Sequence, residues 1–237
     1  SQAELEAMVR ETLRPIRFNN GRGYFFSSLL DGIEQLCATC TDLENTDLSD
    51  LQDTRGAYVI RDMVRLVKKD GEGYYSYTWA KPDTPGGDHV KISFVKLFEP
   101  FNWLLGAGEY LDDVEEDLKQ EALQWIQDIR YEGGGYVFAG KWDGTSLSGP
   151  AVGRNMYGTT DRNGVRIVQE MIRLSKEGGG FVNYVMPKLE DQRPEPKISY
   201  AAGLPEWQWY IGTGLYIDDI ERDIAGYRQR SMTDLYY

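Results

Sequence analysis

Lys91–Asp117 reads KISFVKLFEPFNWLLGAGEYLDDVEED, and Lys197–Asp223 reads KISYAAGLPEWQWYIGTGLYIDDIERD. The two stretches align without a gap. Lys, Ile, Ser, Trp, Gly, Gly, Tyr, Asp, Asp, Glu and Asp recur in register. Chance composition does not produce such a match, so the chain carries a duplicated module, and a repeat has to be recognised before any fold is assigned.

The duplication extends upstream. Ile16-Arg17-Phe18 and Gly23-Tyr24-Phe25-Phe26 answer to Ile129-Arg130-Tyr131 and Gly135-Tyr136-Val137-Phe138. Asp31-Gly32 answers to Asp143-Gly144, and Met63-Val64-Arg65-Leu66 to Met171-Ile172-Arg173-Leu174. The run from Gly73 to Lys81 answers to the run from Gly180 to Lys188. Length differences fall between these blocks, where loops belong. The split lies between Tyr110 and Arg130. Residues 1–111 are expected to form module one, and residues 112–237 a linking helix with module two.

Bulk composition narrows the function classes. Among 237 residues, 41% are hydrophobic and 13% aromatic, enough for two packed cores. Mean hydropathy is −0.51 and 27% of residues are charged, which reads as a soluble chain. No run of about 18 apolar residues suggests a membrane span, and no signal peptide is evident. The net charge of −12 argues against nucleic acid as a partner, because phosphate binding needs a basic footprint. Cys37-Ala38-Thr39-Cys40 lacks the following histidine of a haem attachment site, since Thr41 stands there. A structural zinc would need a second ligand pair, and His89 is the only histidine. The two cysteines read either as a local disulfide or as two free thiols. No cofactor is expected.

Each module reads as helix, hairpin, helix and three antiparallel strands. Ala3–Arg14 has helical apolar spacing, ended by Pro15. Gly23–Leu30 is β-rich before the Asp31-Gly32 turn, and Ala57–Lys68 is an amphipathic helix closed by glycine at Gly71. Tyr74–Trp79, Lys91–Phe98 and Trp103–Tyr110 are strands, with a Pro/Gly loop over Lys81–Gly87. A helix follows over Asp112–Arg130, with two carboxylates in its first turn, where they suit the helix dipole. The fold class is α+β: two PAS-like modules, each an antiparallel sheet of about five strands with flanking helices, joined by a helix.

Taken together, the G-Y-F-F, D-G, G-Y-x-x-Y-x-W-x-K-P and E-P-F-N-W-L-L-G-A-G-E-Y-L-D-D elements resemble the Cache superfamily, in its Cache_2 subgroup. The resemblance covers nearly all of both modules, as in a tandem, or double, Cache sensor region. It implies a periplasmic or extracellular ligand-sensing region of a bacterial histidine kinase, chemoreceptor or diguanylate cyclase. Such a region would bind a small organic anion or similar metabolite, be tethered to the membrane by segments outside this chain, and be compatible with a homodimer. Two departures stand out. The N-terminal helix is short for the family. Module two replaces Trp79 by Met186, Val95-Lys96 by Ala201-Ala202, and Glu99-Pro100 by Pro205-Glu206.

Candidate ligand-binding residues follow from strand periodicity. Tyr75, Tyr77, Trp79 and Lys81 share one face of a strand, and Lys91 and Ser93 share a face of its partner. A cation and hydroxyls can bond a short carboxylate while aromatic walls exclude water. Tyr58 could reach the same cavity from the helix and Tyr24 from the hairpin, with core packing the expected role of Tyr24. The opposite face, with Tyr74, Ser76, Thr78, Ile92 and Phe94, is expected to meet a helix. The plainer alternative is that the aromatics are core and the lysines solvated. Module one, with the richer set of aromatics, is expected to be the sensing module.

An enzyme is not expected. Asp112-Asp113 and Asp218-Asp219 read as helix-start residues, because adjacent helix positions do not face each other, and His89 has no nucleophile set around it. The rival readings are a secreted acidic hydrolase and a ligand-free structural or dimerisation module.

Overall fold

The repeated Gly-x-Gly lies on the central strand of each of two five-stranded antiparallel sheets. A computed structural model describes residues 1–81, 84–131, 135–188 and 192–233. Module one contains α1 (Gln2–Leu13), β1 (Phe25–Leu29), β2 (Glu34–Cys37), α2 (Val59–Asp70), β3 (Glu72–Lys81), β4 (Thr84–Phe98) and β5 (Trp103–Tyr110). Helix α3 (Leu111–Asp128) follows. Module two contains β6 (Arg130–Tyr131), β7 (Gly135–Lys141), α4 (Ile167–Lys176), β8 (Gly180–Pro187), β9 (Pro194–Leu204), β10 (Trp209–Tyr216) and α5 (Ile217–Thr233). The strand orders are β2-β1-β5-β4-β3 and β6-β7-β10-β9-β8. The α+β, PAS-like fold expected from the repeat is thus present twice.

The compact units are Ser1–Leu118 and Lys119–Tyr237, so α3 begins in one and ends in the other. Ion pairs tie the start of α3 to the rest of the first unit. Lys81 binds Asp112 and Asp113, and Arg22 pairs with Asp117.

One helix lies on one face of each sheet because its apolar residues recur at helical spacing. In α2 the buried side chains are Val59, Ile60, Met63, Val64 and Val67. They pack on Tyr77, Val95 and Leu104 of the sheet. Gly71, at φ 80°, ends the helix in a conformation glycine adopts without strain. In α4 the equivalent residues Ile167, Val168, Met171 and Ile172 pack on Val182, Tyr184, Ala201 and Tyr210.

The structure corrects one expectation about faces. The helix sits on the Tyr75–Tyr77–Trp79 face, because that face offers Val95 and Leu104 as apolar neighbours. The opposite face is open at Tyr74, which is 75% exposed and lies against Phe94 with ring centroids 5.2 Å apart. Phe181 and Tyr200 repeat this pair in module two. The Lys81–Gly87 loop is also shorter than its Pro and Gly content suggests, since β4 already starts at Thr84. Residues 82–83 of that loop lie outside the described residues.

The edge strand differs between modules. In module one, β2 pairs with β1 through Phe26–Cys37, Ser27–Leu36 and Ser28–Glu34. In module two the corresponding return is a single bridge, Gly140–Ser146, and β6 forms the edge instead. Gly149-Pro150 follows Ser148 there, and a proline cannot donate to a ladder.

The glycines of the repeat are set by close approach. A Cβ on Gly108 would lie 2.2 Å from Ser93 Oγ and 2.5 Å from the Ile92 carbonyl. On Gly214 it would lie 2.0 Å from Ser199 Oγ and 2.7 Å from the Ile198 carbonyl. Gly108→Ala and Gly214→Ala should therefore each destabilise by about 1–3 kcal/mol. Gly158→Ala, where a Cβ meets nothing within 4 Å, should change stability by less than about 0.5 kcal/mol. Urea unfolding midpoints check this, and equal effects at Gly108 and Gly158 would refute the close-contact explanation.

Candidate functional site

Strand register builds the same arrangement in both modules. In module one, Lys91 pairs with Tyr77 on β3 and with Tyr110 on β5. Directly paired residues point to the same face of a sheet, so Tyr77, Lys91 and Tyr110 form one cross-strand row facing α2. In module two, Lys197 pairs with Tyr184 on β8 and Tyr216 on β10, giving the row Tyr184, Lys197, Tyr216. A third tyrosine joins each set: Tyr24, the residue before β1, and Tyr136 on β7.

Both lysines are 1% exposed. The Lys91 ammonium lies 4.0 Å from the Tyr24 ring centroid, 5.1 Å from that of Tyr110 and 5.7 Å from that of Phe26. The Lys197 ammonium lies 4.4 Å from the Tyr136 ring and 4.8 Å from the Tyr216 ring, and donates to the Tyr136 hydroxyl at 2.9 Å. Ring faces attract a desolvated cation by about 2 kcal/mol or more, well short of what water gives it. Burial accordingly pushes the Lys91 ammonium below the usual lysine range, with Tyr24 and Glu109 partly opposing, and pushes Lys197 down to about 8. Among the described residues, no carboxylate lies within ion-pair distance of either ammonium.

The cavity beside Lys91 has a volume of about 30 Å³. Tyr24, Phe26, Glu34, Tyr77, Trp79 and the Cys37–Cys40 pair form part of its wall. The two cysteines are joined as a disulfide, with Cα atoms 5.1 Å apart. Glu34 is buried. Burial, and secondarily the charge of Glu44, raises its carboxyl well above the ordinary range. Glu34 thus lines the cavity with its charged form disfavoured by burial.

Of the residues singled out by sequence, Tyr77, Trp79 and Lys91 reach this cavity wall. Ser93 is buried behind it, 3.1 Å from the Tyr77 hydroxyl. Three others are engaged elsewhere. Tyr75 donates to Asp62 at 2.9 Å, and burial together with that carboxylate pushes its phenol up to about 12. Tyr58 caps the start of α2, with the Arg61 guanidinium over its ring at 4.3 Å. Lys81 bonds Asp112 at 2.8 Å and Asp113 at 2.6 Å.

Sequence reading passed over Tyr110 and Glu34 and preferred a core role for Tyr24. Tyr110 recurs in register as Tyr216, which was signal enough to include it. Glu34 and Leu36 fall at period two on β2, and both are buried.

A wider groove of about 630 Å³ runs along the outside of α2, lined by Arg61, Arg65, Lys68 and Lys69 among others. It is open to solvent, and Arg61 and Arg65 are already paired with Asp50 and Asp62. It shields no ligand from water, so the caged lysines are the stronger candidates.

The Asp pairs occupy the first turns of α3 and α5, as expected for helix starts. They also clamp the preceding hairpins. Lys81 holds Asp112 and Asp113, and His89 Nδ1 lies 2.8 Å from Asp112. Lys188 repeats this with Asp218 at 2.7 Å and Asp219 at 2.8 Å.

The sequence profile described as "dCache_2: Cache domain" matches residues 1–221. Among curated proteins, the sensor histidine kinase MctS of Rhizobium johnstonii is 31% identical over 146 residues, covering 58% of this chain and 32% of that protein. The methyl-accepting chemotaxis protein McpP of Pseudomonas putida is 27% identical over 121 residues, covering 51% of this chain and 22% of that protein. The chain thus spans about a third or less of the length of these relatives. A solved Cache chemosensory domain, described in connection with carboxylic acid recognition, is 32% identical. That match covers 46% of this chain and 74% of that one, with a TM-score of 0.45.

The clamp gives a stability prediction. Burial alone would raise the Asp112 pKa, but hydrogen bonds from Lys81 and His89 outweigh it and hold the carboxyl below its usual value. A depressed carboxylate lends stability that is whole above its unfolded pKa of about 3.9 and is lost as pH falls through the folded value. Lys81→Met should therefore lower stability by about 1 kcal/mol at pH 7, a figure that salt reduces, and by progressively less below about pH 4. Denaturant titrations at pH 7 and pH 3 check this. A deficit that persists undiminished at pH 3 would show that Lys81 acts by packing alone.

Proposed function

Because the chain belongs to the double Cache family dCache_2, we propose that it is the ligand-sensing region of a bacterial transmembrane signalling receptor. In this reading it lies outside the cytoplasm, binds a short carboxylate in module one, and passes the event on through its helices. The sensor histidine kinase and chemotaxis proteins among its relatives support the receptor context. It acts by binding rather than by catalysis. The repeated carboxylate pairs and the single histidine, which would be the candidates for acid–base chemistry, are engaged in the clamps at the starts of α3 and α5.

One observation carries the ligand class: Lys91 is buried in the cavity wall without a carboxylate partner among the described residues. An anion placed against this ammonium would supply the missing charge. Tyr24 and Tyr77 would add hydroxyl contacts, Trp79 an apolar wall, and Ser93 would fix the orientation of Tyr77. Tyr58, Tyr75 and Lys81 would support the surrounding structure.

At about 30 Å³ the cavity holds about two water molecules. A carboxylate therefore needs the wall to move outward. Binding is then tied to a change of conformation, which is what a sensor requires, because a ligand shifts an equilibrium only by its differential affinity for the two states.

The test is calorimetric titration of acetate, propionate, lactate and pyruvate. Lys91→Met should weaken module-one binding by about one to two decades, the worth of a charge-assisted hydrogen bond. It should leave the far-ultraviolet circular dichroism unchanged. Lys81→Met should bind as wild type. Unaltered affinity in Lys91→Met for every ligand that binds would remove the carboxylate reading of module one.

A further inference from the structure

We propose that module two is a second ligand site, in which Lys197 and Tyr136 hold the carboxylate of a short, otherwise apolar monocarboxylic acid. The inference shares with the reading above only the premise that a buried lysine attracts an anion.

The cavity in module two occupies the position equivalent to that of module one, but its volume is about 120 Å³ against about 30 Å³. The difference has an identifiable origin. In module one the Trp79 indole, the Cys37–Cys40 pair, Leu43 and Leu48 fill the space. In module two Met186 stands for the tryptophan, and the wall opposite is built from small residues, among them Ser146, Ser148 and Ala151. This cavity can take a ligand without first opening.

The polar handle is the Lys197–Tyr136 pair. Lys197 donates to the Tyr136 hydroxyl at 2.9 Å. That oxygen accepts a charged hydrogen bond, and its own proton is directed to no acceptor among the described residues. Burial raises the Tyr136 pKa, so the phenol keeps this proton near neutral pH. Tyr136 lines the cavity. A phenol polarised by an ammonium is a strong donor to a carboxylate, and the ammonium behind it supplies the compensating charge. Tyr184 is turned away from this task by its bond to Ser199 at 2.9 Å.

The wall also sets the ligand class. It contains Phe138, Ile167, Val168, Met171, Met186 and Tyr210, which suit an alkyl chain. Among the described residues it has no aspartate or glutamate, so the ammonium of an amino acid finds no counter-charge. Nor does a cation line it among the described residues; Lys197 reaches it only through the Tyr136 hydroxyl, so the second carboxylate of a diacid would be buried unpaired, which is strongly unfavourable. Module one differs here, because Glu34 lines its cavity.

The experiment titrates propionate, butyrate, lactate and pyruvate, with succinate and L-alanine as class controls, into the whole chain by calorimetry. The variants are Lys91→Met, Lys197→Met, Tyr136→Phe and Met186→Trp. The last fills the cavity as Trp79 does in module one and leaves Lys197 in place, so it separates loss of space from loss of charge. In the Lys91→Met background, at least one monocarboxylate should still bind at one site. Adding Lys197→Met or Met186→Trp should abolish that site, and Tyr136→Phe should weaken it about tenfold. Succinate and L-alanine should bind it at least about tenfold more weakly than the monocarboxylate.

Circular dichroism and a cooperative thermal transition establish that each variant is folded. No binding of any monocarboxylate to Lys91→Met overturns the second site while leaving module one intact. The same follows if binding survives both Lys197→Met and Met186→Trp. Loss of binding in Lys197→Met alone, with Lys91→Met as wild type, overturns the module-one reading and leaves this site standing. Preference for succinate or L-alanine at this site overturns the ligand class.

Discussion

A lysine ammonium removed from water near the middle of a sheet costs several kcal/mol unless something replaces its hydration. Each module keeps such a lysine at a position the strand register makes unavoidable. Lys91 and Lys197 are each flanked across the strands by two tyrosines, with the ring of a third, Tyr24 or Tyr136, against the ammonium. The ring faces and hydroxyls return part of the loss, but no protein carboxylate among the described residues returns the rest. For Lys197, whose pKa falls to about 8, the penalty is full below about pH 8. It is relieved only as pH rises from there toward the ordinary lysine value of about 10.4. An anion in the cavity would relieve it at neutral pH.

Other features place this charge and connect it to the helices. The Gly-x-Gly of the central strand faces the same side as the lysine row. Gly106 admits the Phe26 ring, and Gly108 admits Ser93, which in turn holds Tyr77. Tyr110 is the last residue of β5, and α3 begins at the next residue. The hydroxyl of Tyr110 donates to the Ala80 carbonyl at 2.7 Å, beside the Lys81 clamp on Asp112 and Asp113. A displacement of Lys91 toward an anion would therefore act at the root of a helix. Tyr216, Pro187 and Lys188 repeat this connection at α5.

Much of this was legible in the residues. The in-register repeat carried the number of modules, and period-two alternation carried the shared face of Tyr77 and Trp79. Periodicity could not say which face meets the helix, because Tyr74 and Phe94 are as apolar as Tyr75 and Tyr77. The answer lay in Val95 and Leu104, whose alignment with α2 is a tertiary fact. Lys81 and Lys91 look alike in sequence, both on strands and on one face. Only the fold shows that Lys81 ends at a carboxylate pair while Lys91 ends among rings. The relative size of the two cavities was hidden as well. A tryptophan reads as an asset for binding, yet here its bulk helps to close module one, and the smaller Met186 leaves module two open.

The most direct measurement is the titration of lysine side chains by nuclear magnetic resonance on protein labelled with ¹³C at the lysine ε-carbons. Lys91 and Lys197 would be assigned by their replacement with methionine. Without carboxylate, these two resonances should titrate below the exposed lysines. With saturating propionate, at least one should shift its pKa upward by about one unit or more, since one unit corresponds to about 1.4 kcal/mol of preference for the charged form. Ordinary lysine pKa values for both, or low values that saturating carboxylate leaves unmoved, would contradict the view that these buried ammoniums are anion receptors.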